Sequence, residues 1–460
     1  MVAKNQVLDV VISDLNNLGF GVAHVDGLTL FVSGCVDGET VRAKVLLVKR
    51  TYAVAKTLEV LTPSPYRIAP ACDVKGCGGC AYQMIDYAHE RNLKRGYVRA
   101  AFRKAGIHAQ VEEVVTPKGE MGEWLTCGYR NKAQYPVTQD QNGNYIIGFY
   151  GAKTHRVVEA SHCPLQPKAF EEVNQTLRTY FETYHVPAYC EETGKGLVRH
   201  IYLRRATSGD ILLTLVVNGK KLPHEEDLVA LIRERHPQVV GILLNVNEEQ
   251  TNVICGDTYR TLWGECVLVD TLAGVQLKLA PAAFYQVNHA AAELLYAKAK
   301  ELACLTGEEQ LLDLYCGCGS IGLSMADMAR EVVGIEIEPS AVECAKENAA
   351  ANGITNARFW CGDATNAEEL LSRAVGDLSL SPDVVVLDPP RKGSTPALLS
   401  YLASLRVPRI VYVSCNPDTL ARDAACLLKL GYEMSSVTPF DLFPRTGHVE
   451  SLVCLTKQTN

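Results

Sequence analysis

Two residues near the end of the chain have side chains suited to covalent and proton-transfer chemistry. Cys415 follows the apolar run RIVYVS and precedes Asn416 and Pro417. Because proline ends a strand, the thiol is expected at the lip of a crevice, where it is a candidate nucleophile. The alternative is a small buried apolar residue, the usual state of a free cysteine. Glu450 stands beside the otherwise apolar run SLVCL, and a carboxylate there is a candidate general base.

Acidic or aromatic side chains also follow four successive apolar runs in the second half of the chain. Tyr315, Glu336, Asp363 and Asp388 each lie at the end of such a run. In open α/β sheets, ligands bind outside the carboxyl ends of the strands, so these side chains are expected to face one crevice. A single acid of this kind has a structural explanation, but the repetition at successive strand ends indicates a ligand site.

A glycine-rich turn follows the first of these runs. The segment GCGSIG at residues 317–322 matches a dinucleotide-binding turn, and Glu336 lies near the spacing of a ribose-binding acid. A methyltransferase uses the same close backbone approach for the methionine part of S-adenosylmethionine, so the glycines leave both cofactors open. Asp363, placed to read an adenine amino group, and the segment DPPRKG at 388–393 favour the methyltransferase.

The order of apolar runs and helical patterns predicts the elements that carry these residues. From about residue 281, helices alternate with nearly uninterrupted apolar strands, which is typical of a parallel sheet covered on both faces. Residues 7 to about 60 contain β runs separated by turn clusters, which predicts a small antiparallel barrel of about five strands. We therefore predict an α/β protein with a barrel over 1–62, a central α+β domain over 63–275 and a catalytic domain over 276–460.

Cationic side chains are concentrated in a few segments. A predicted helix from about 82 to 104 carries arginines at every fourth position, which suits either a solvated face or a face for RNA. These arginines are Arg91, Arg95, Arg99 and Arg103, and further cations include Arg130 and Lys132. The net charge of −7 gives no global attraction to nucleic acid, so a polyanion has to meet a local basic patch.

Length and composition predict a globular chain of several domains. Its 460 residues are about three times a common domain of ~150 residues. No apolar run approaches the ~18 residues of a membrane span, and the polar start lacks the features of a secretory signal. We therefore expect a cytoplasmic protein without membrane contact, and a monomer.

Cysteine spacing indicates a second chemical site. Seventeen cysteines, an odd number in a long chain of this kind, favour reduced thiols. Cys72, Cys77 and Cys80 lie close together, with two glycines between the last two. An iron-sulfur cluster, a zinc ion and a disulfide are all compatible with this spacing.

Taken together, five segments resemble the RNA uracil-C5 methyltransferases, which make 5-methyluridine in ribosomal and transfer RNA. In chain order the segments are FYQVN, DLYCG, DPPRKG, SCNP and FPRTGHVES, which is the order found in that family. The N-terminal segment resembles the TRAM barrel that many members carry, and the resemblance covers essentially the whole chain. It implies a Rossmann-like class I methyltransferase domain and, as substrate, RNA with an unstacked uridine, most simply 23S ribosomal RNA.

The resemblance also implies a role for each site residue. Cys415 adds to carbon 6 of uracil, Glu450 removes the carbon 5 proton, and Asp388 holds the uracil edge with Arg391 nearby. Phe284 is expected to stack on a base. Neighbouring cations or a helix end are expected to favour the Cys415 thiolate. The implied contacts of S-adenosylmethionine are Gln286, Tyr315, Ser320, Glu336, Asp363 and Asp388.

Similarity to this family further implies that Cys72, Cys77, Cys80 and Cys163 hold a structural 4Fe-4S cluster, and Cys163 is followed by proline as in some cluster sites. Four thiolates also suit zinc.

Other functions are compatible with parts of the pattern. They are a transfer RNA uracil-C5 methyltransferase, a radical S-adenosylmethionine enzyme with a TRAM-like barrel, a nicotinamide oxidoreductase and a non-catalytic RNA-binding scaffold. The radical enzyme needs Cys-x3-Cys-x2-Cys where this chain has a four-residue first spacing. A cytosine-C5 enzyme is disfavoured because it needs a cysteine in the segment that reads DPPR here.

Overall fold

The computed structural model of the chain describes residues 2–152, 154–160, 162–366 and 381–458. Its strands form sheets of six, seven, two and eight strands. None of the helices within these ranges combines the length and the apolar character needed to cross a bilayer.

The first sheet is built by the N-terminal strands. They are β1 (Val7–Val11), β2 (Asp14–Leu15), β3 (Gly21–Val25), β4 (Leu28–Ser33), β5 (Thr40–Val48) and β6 (Tyr52–Thr62). Their order is β1-β5-β6-β4-β3-β2. Every second residue of β5 from Val41 to Val45 is buried, as expected for a strand with one face on a core.

The predicted strand count and pairing need correction here. The described sheet has six strands rather than about five, and β4 pairs with β6 in parallel. Parallel neighbours require a crossover between them, and the chain segment that contains β5 provides it.

Helix α1 (Tyr87–Lys104) connects the first sheet to the rest of the molecule. The Asp86 side chain caps the helix by accepting two backbone N–H groups of its first turn. The predicted start near residue 82 was wrong, because residues 82–86 form a turn with Tyr82 buried. Val98 and Phe102 of α1 belong to the hydrophobic core of the C-terminal half.

The central region contains a seven-stranded sheet with two helices. Its strands are β7 (Lys132–Gln139), β8 (Tyr145–Tyr150), β9 (Val157–Glu159), β10 (Val198–Arg205), β11 (Ile211–Val217), β12 (Val239–Val246) and β13 (Thr258–Gly264), and its helices are α2 (Lys168–Thr183) and α3 (Glu225–Arg235). The order is β13-β12-β11-β10-β7-β8-β9. A two-stranded hairpin of β14 (Leu268–Leu272) and β15 (Val275–Leu279) follows.

The C-terminal region contains the eight-stranded sheet. Its elements are α4 (His289–Ala303), β16 (Gln310–Leu314), α5 (Ser320–Ser324), β17 (Glu331–Glu336), α6 (Pro339–Ala351), β18 (Ala357–Cys361), β19 (Val384–Leu387), α7 (Pro396–Ser404), β20 (Arg409–Ser414), α8 (Pro417–Lys429), β21 (Tyr432–Met434), β22 (Thr438–Phe440) and β23 (Glu450–Lys457).

Strand order in this sheet locates a ligand crevice. The order is β18-β17-β16-β19-β20-β23-β21, with β22 paired to β23. Strands β16 to β20 pair in parallel and β23 runs antiparallel to β20. The direction of the strand order reverses between β16 and β19, and ligands bind at the carboxyl ends of strands at such a switch point. The prediction of an α/β sheet is confirmed.

Both faces of this sheet are buried, which explains the uninterrupted apolar strands. Leu311 and Val332 face one core cluster, whereas Leu312 and Val333 face the other. Successive residues of a strand point to opposite faces, so a strand covered on both sides has no solvated position along its length.

Candidate active site

The turn after β16 lies at the switch point of the sheet. Tyr315 has a left-handed φ of 65°. The backbone N–H groups of Tyr315 and Cys316 both donate to the carbonyl oxygen of Ile335, at 2.9 and 3.1 Å. Gly317 follows with φ 55°, and a Cβ placed on it would meet open space. The turn therefore exposes backbone to the crevice, where a ligand can approach closely.

Two carboxylates hold this glycine turn. Glu336 accepts hydrogen bonds from the N–H groups of Gly317 and Glu338, both at 3.0 Å. Asp313 accepts from the N–H group of Gly322 at 2.8 Å, and burial raises the pKa of Asp313 to about 7. The rigid turn and its open glycine fit the methionine part of S-adenosylmethionine.

Three further predicted cofactor contacts are Ser320, which follows this turn, Asp363 and Gln286. The Ser320 hydroxyl shares a hydrogen bond of 2.7 Å with the Tyr296 hydroxyl. Asp363 follows β18 and accepts from the Thr365 N–H group at 2.9 Å. Gln286 is 7% exposed, and its side chain makes no hydrogen bond with the described residues; its carbonyl oxygen accepts from the Asn131 amide at 2.7 Å.

Strand register brings Cys415 and Glu450 together. Ser414 of β20 pairs with Ser451 of β23 in the antiparallel ladder. The next position outward joins Cys415 and Glu450, which lie at the carboxyl end of β20 and the amino end of β23. Cys415 is half-buried at the crevice lip, and Glu450 is 5% exposed.

The segment after β19 lies beside this pair. Its Arg391 carbonyl oxygen accepts a hydrogen bond from the Asn416 amide at 3.1 Å, which ties the Asp388 segment to the Cys415 segment. Asp388 and Arg391 are close enough to affect the pKa values of Cys415 and Glu450. Within the described chain, the Asp388 and Glu450 side chains form no hydrogen bond or ion pair, so both remain available to a ligand.

Burial sets the protonation of this group. It raises the pKa of Glu450 to about 8 and that of Asp388 to about 7, and Asp388 adds to the shift of Glu450. Burial together with these two carboxylates raises the pKa of Cys415 to about 11, despite the opposing effect of Arg391. The expectation that neighbouring cations or a helix end favour the thiolate was therefore wrong for the ligand-free protein, because burial and two acids outweigh one arginine.

The predicted cluster ligands lie in one region. Burial raises the pKa of Cys80 to about 12, and the charges of Cys163, Cys77 and Cys72 add to the rise. These four cysteines are therefore close enough to interact. All seventeen cysteines are free thiols, so no disulfide joins them. Within the described ranges, however, no group of three or more cysteine, histidine or acidic side chains is arranged to hold a metal ion.

The four arginines of α1 form two pairs, one in contact with the rest of the protein and one exposed to solvent. Arg91 stacks on Trp124 with its guanidinium 4.9 Å from the ring centre, and Arg95 donates to the carbonyl oxygen of Val111. Both therefore hold the segment after α1. Arg99 and Arg103 are exposed.

A buried ionic network was missed by sequence reasoning. Lys94 of α1 donates to the carboxylates of Glu90 and Asp441, both at 2.8 Å, and to the Phe443 carbonyl oxygen at 3.2 Å. The N–H group of Arg445 donates to Glu90 at 2.7 Å. The network holds the loop before Glu450 against α1. The sequence signal was a Glu-Lys pair four residues apart on the buried face of a helix.

One cavity in the described part of the chain lies away from these residues. It has a volume of about 630 Å³ and is lined by β9 and α2 residues such as Glu159 and Arg178. None of the predicted site residues lines it.

The reversed parallel sheet, the open glycine turn and the acids at successive strand ends define a Rossmann-type, S-adenosylmethionine-dependent methyltransferase. A family model described as tRNA (Uracil-5-)-methyltransferase matches residues 99–458, and a TRAM domain model matches residues 2–58. The chain belongs to this family of RNA uracil-5-methyltransferases, as the resemblance implied.

Comparison with individual proteins agrees with the family. A protein of Clostridium tetani described as an uncharacterized RNA methyltransferase is 38% identical over 458 residues, which are 99% of this chain and 97% of the relative. A similarly described protein of Halalkalibacterium halodurans is 39% identical over 457 residues, 99% of this chain and 98% of the relative.

A solved structure has the same fold over nearly the full length. It is the Pyrococcus abyssi tRNA (uracil-54, C5)-methyltransferase in complex with S-adenosyl-L-homocysteine. The TM-score is 0.79 at 27% identity, and the alignment covers 97% of this chain and 99% of that one.

Proposed function

We propose that this protein transfers a methyl group to carbon 5 of a uridine in RNA through a covalent bond between Cys415 and carbon 6. The observation that carries this proposal is the register that joins Cys415 to Glu450 beside Asp388. The proposed nucleophile, the proposed base and the proposed hydrogen-bonding acid are thus neighbours, which supports the proposal. S-adenosylmethionine supplies, when bound, an electrophilic methyl group.

The first step is addition of sulfur to the uracil ring. The Cys415 thiol loses its proton, its sulfur bonds to carbon 6, and the electron pair of the ring double bond moves to carbon 5 and the neighbouring carbonyl. Because the pKa of Cys415 is raised to about 11, the group is a thiol in the ligand-free protein, and its proton passes to solvent as sulfur adds to the ring. The Arg391 charge, which opposes the rise of this pKa, favours the thiolate in this step.

Elimination completes the reaction. After carbon 5 gains the methyl group, the Glu450 carboxylate removes the remaining proton from carbon 5. The ring double bond then forms again, the bond between sulfur and carbon 6 breaks, and Cys415 leaves as a thiolate. A base with a pKa of about 8 accepts this proton near neutral pH and returns it to solvent easily.

Asp388 is proposed to bind the edge of the base. Its pKa of about 7 keeps much of the carboxyl group protonated at neutral pH. A protonated carboxyl group has one donor and one acceptor, and the uracil edge offers a carbonyl oxygen and an N–H group. The pairing also draws electron density toward that oxygen, which favours sulfur addition at carbon 6.

The substrate is proposed to be RNA with an unpaired uridine. A base must leave its stack to contact Cys415, so a loop or single strand is the expected target. Phe284, 68% exposed beside Gln286, offers a surface for stacking. Ribosomal RNA is the first candidate, specifically 23S RNA in the cytoplasm. Transfer RNA is the second, because the P. abyssi protein acts on tRNA.

Product analysis tests this function. Purified protein is incubated with S-adenosylmethionine and either 23S ribosomal RNA or transfer RNA from cells that lack the gene, and nucleosides are quantified by mass spectrometry. We expect 5-methyluridine with wild type and with Cys266→Ala, which alters an exposed cysteine, and none with Cys415→Ala. Product from Cys415→Ala would refute the covalent mechanism, and product only on transfer RNA would replace the ribosomal target.

We also propose that Cys72, Cys77, Cys80 and Cys163 bind a 4Fe-4S cluster. The proximity of these free thiols supports the proposal. Within the described residues, however, their side chains are not arranged to hold a metal ion. Anaerobically purified protein is expected to contain four irons and four sulfides per chain, by the composition of the cluster. One zinc and no sulfide would contradict the cluster.

A further inference from the structure

Two cationic side chains stand opposite each other in the central sheet. Lys132 of β7 pairs with Arg204 of β10 in the antiparallel ladder, so both side chains project from the same face. Like charges in this position repel and destabilise a sheet. Neither side chain forms an ion pair with an acid in the described part of the chain. The two opposed charges therefore destabilise the folded sheet, and no contact in the described chain compensates for their repulsion with an opposite charge.

Arg204 connects this face to the segment that carries Phe284 and Gln286. It is 2% exposed, and its Nη2 donates to the carbonyl oxygens of Pro281 and Ala283, immediately before the exposed Phe284. Its Nε and Nη1 atoms are buried without a hydrogen-bond partner. Lys132 is partly buried and is the more exposed member of the pair.

Neighbouring contacts place the pair beside the crevice. Asn131, next to Lys132, bonds to the backbone of Gln286 and Val287 at 2.7 and 2.8 Å. Burial is the main cause of the lowered pKa values of Lys132 and His448, and the nearby Arg130 adds to both shifts. His448 lies two residues before the proposed base. Three cations thus lie near the segment of Gln286 and the segment that leads to Glu450.

We propose that Lys132, backed by Arg204, forms an oxyanion site that binds a backbone phosphate of the RNA next to the target uridine. This inference rests on the proposed function. An anion would neutralise the repulsion between the two strands and accept hydrogen bonds from Lys132. The carboxylate of S-adenosylmethionine has similar chemistry, so the test must separate the two anions.

Lys132→Met is the informative variant, because it keeps the length of the side chain and removes the charge. Lys168→Met, on the exposed surface of α2, is the control. Binding is measured by fluorescence anisotropy with an RNA stem-loop and with the same RNA carrying one neutral methylphosphonate beside the uridine. We expect Lys132→Met to weaken binding of the charged RNA about tenfold and to lower the salt slope by about 0.7.

The neutral linkage gives the specific readout. Wild type should lose about tenfold in affinity when the phosphate next to the uridine is neutralised, whereas Lys132→Met should lose nothing further, because the same contact is already absent. Equal losses in both proteins would overturn the proposal. A raised KM for S-adenosylmethionine with unchanged RNA affinity would overturn it as well and would assign the site to the cofactor carboxylate.

Thermal stability separates this role from a structural one. Removing one of two opposed cations should raise the Tm of the ligand-free protein by about 1–3 °C. A lower Tm with unchanged RNA affinity would show that Lys132 is structural. RNA binding does not require methyl transfer. Absence of 5-methyluridine from wild-type reactions would therefore contradict the proposed function, and the binding measurements on Lys132→Met would still test the phosphate site.

Discussion

Glu450 illustrates how a functional side chain costs stability. Its pKa rises from an ordinary value of 4.5 to about 8 because the folded protein removes the carboxylate from water. Between these values the folded state holds a proton that the unfolded chain has released. Stability therefore falls as pH rises from about 4.5 to about 8, and the proposed base is kept at the expense of the fold.

Substituting this residue should reveal the cost. Glu450→Gln is expected to gain stability relative to wild type as pH increases from 5 to 9, on the order of 4 kcal/mol, because the amide never ionises. Urea unfolding at both pH values measures the change. Glu433→Gln, at an exposed site, should not gain in this way. A pH-independent difference between Glu450→Gln and wild type would show that the carboxyl group is not destabilised by burial.

The same variant should arrest the reaction after methyl transfer. Without the carboxylate, the carbon 5 proton remains and the bond from Cys415 to carbon 6 cannot be eliminated. We expect Glu450→Gln to accumulate an RNA-protein complex that survives denaturing electrophoresis and carries the methyl group of labelled S-adenosylmethionine. Normal turnover by this variant would remove Glu450 from the role of base.

At the scale of elements, the Lys94 network joins α1 to the loop that leads into β23. Lys94 is 1% exposed and neutralises two buried carboxylates, Glu90 and Asp441. Loss of one member of a buried network leaves charges without partners, which costs far more than the loss of an exposed pair. The position of Glu450 therefore depends on a helix more than 340 residues earlier in the chain.

Lys94→Met should reduce the free energy of unfolding by about 3–5 kcal/mol and lower the rate of methylation. Lys104→Met is the matched control on the same helix, because Lys104 is 81% exposed and lies 3.5 Å from Asp418. It should cost less than about 1 kcal/mol. Similar values for the two variants in chemical denaturation would contradict the structural role of the network.

Some of these elements could be predicted from the sequence, and others could not, for physical reasons. The alternation of apolar strands and helices predicted the parallel sheet, because burial of both faces leaves a local pattern. The start of α1 was wrong by five residues because Tyr82 is buried in a turn and extends the apparent pattern. The pairing of Cys415 with Glu450 required the register of β20 and β23, which a single sequence does not contain.

At the scale of the whole molecule, an acidic protein must bind a polyanion through local cations. The net charge is −7. In the first sheet, Arg42 is paired with Asp9 and Glu59 and is not available to RNA. Lys49 and Arg50, at the turn between β5 and β6, are exposed. Charge in the sequence alone did not distinguish these two groups, because ion pairing depends on neighbouring strands.

The double variant Lys49→Ala and Arg50→Ala should reduce the salt dependence of RNA binding. For two lost contacts to single-stranded RNA, the slope of log affinity against log salt should fall by about 1.4. Lys346→Ala, which removes a cation paired with Glu343 on α6, should leave the slope unchanged. An unchanged slope in the double variant would exclude this turn from the RNA interface.

The proposed mechanism depends on a covalent bond between Cys415 and carbon 6 of a uridine. Mass spectrometry of a trapped complex tests for this bond most directly. RNA containing 5-fluorouridine blocks proton removal from carbon 5, so the intermediate cannot be resolved. Digestion of the complex formed by wild-type protein with S-adenosylmethionine should yield one modified peptide, linked through the sulfur of Cys415 to a methylated nucleotide. A link at any other residue, or no link under conditions where ordinary RNA is methylated, would contradict the account.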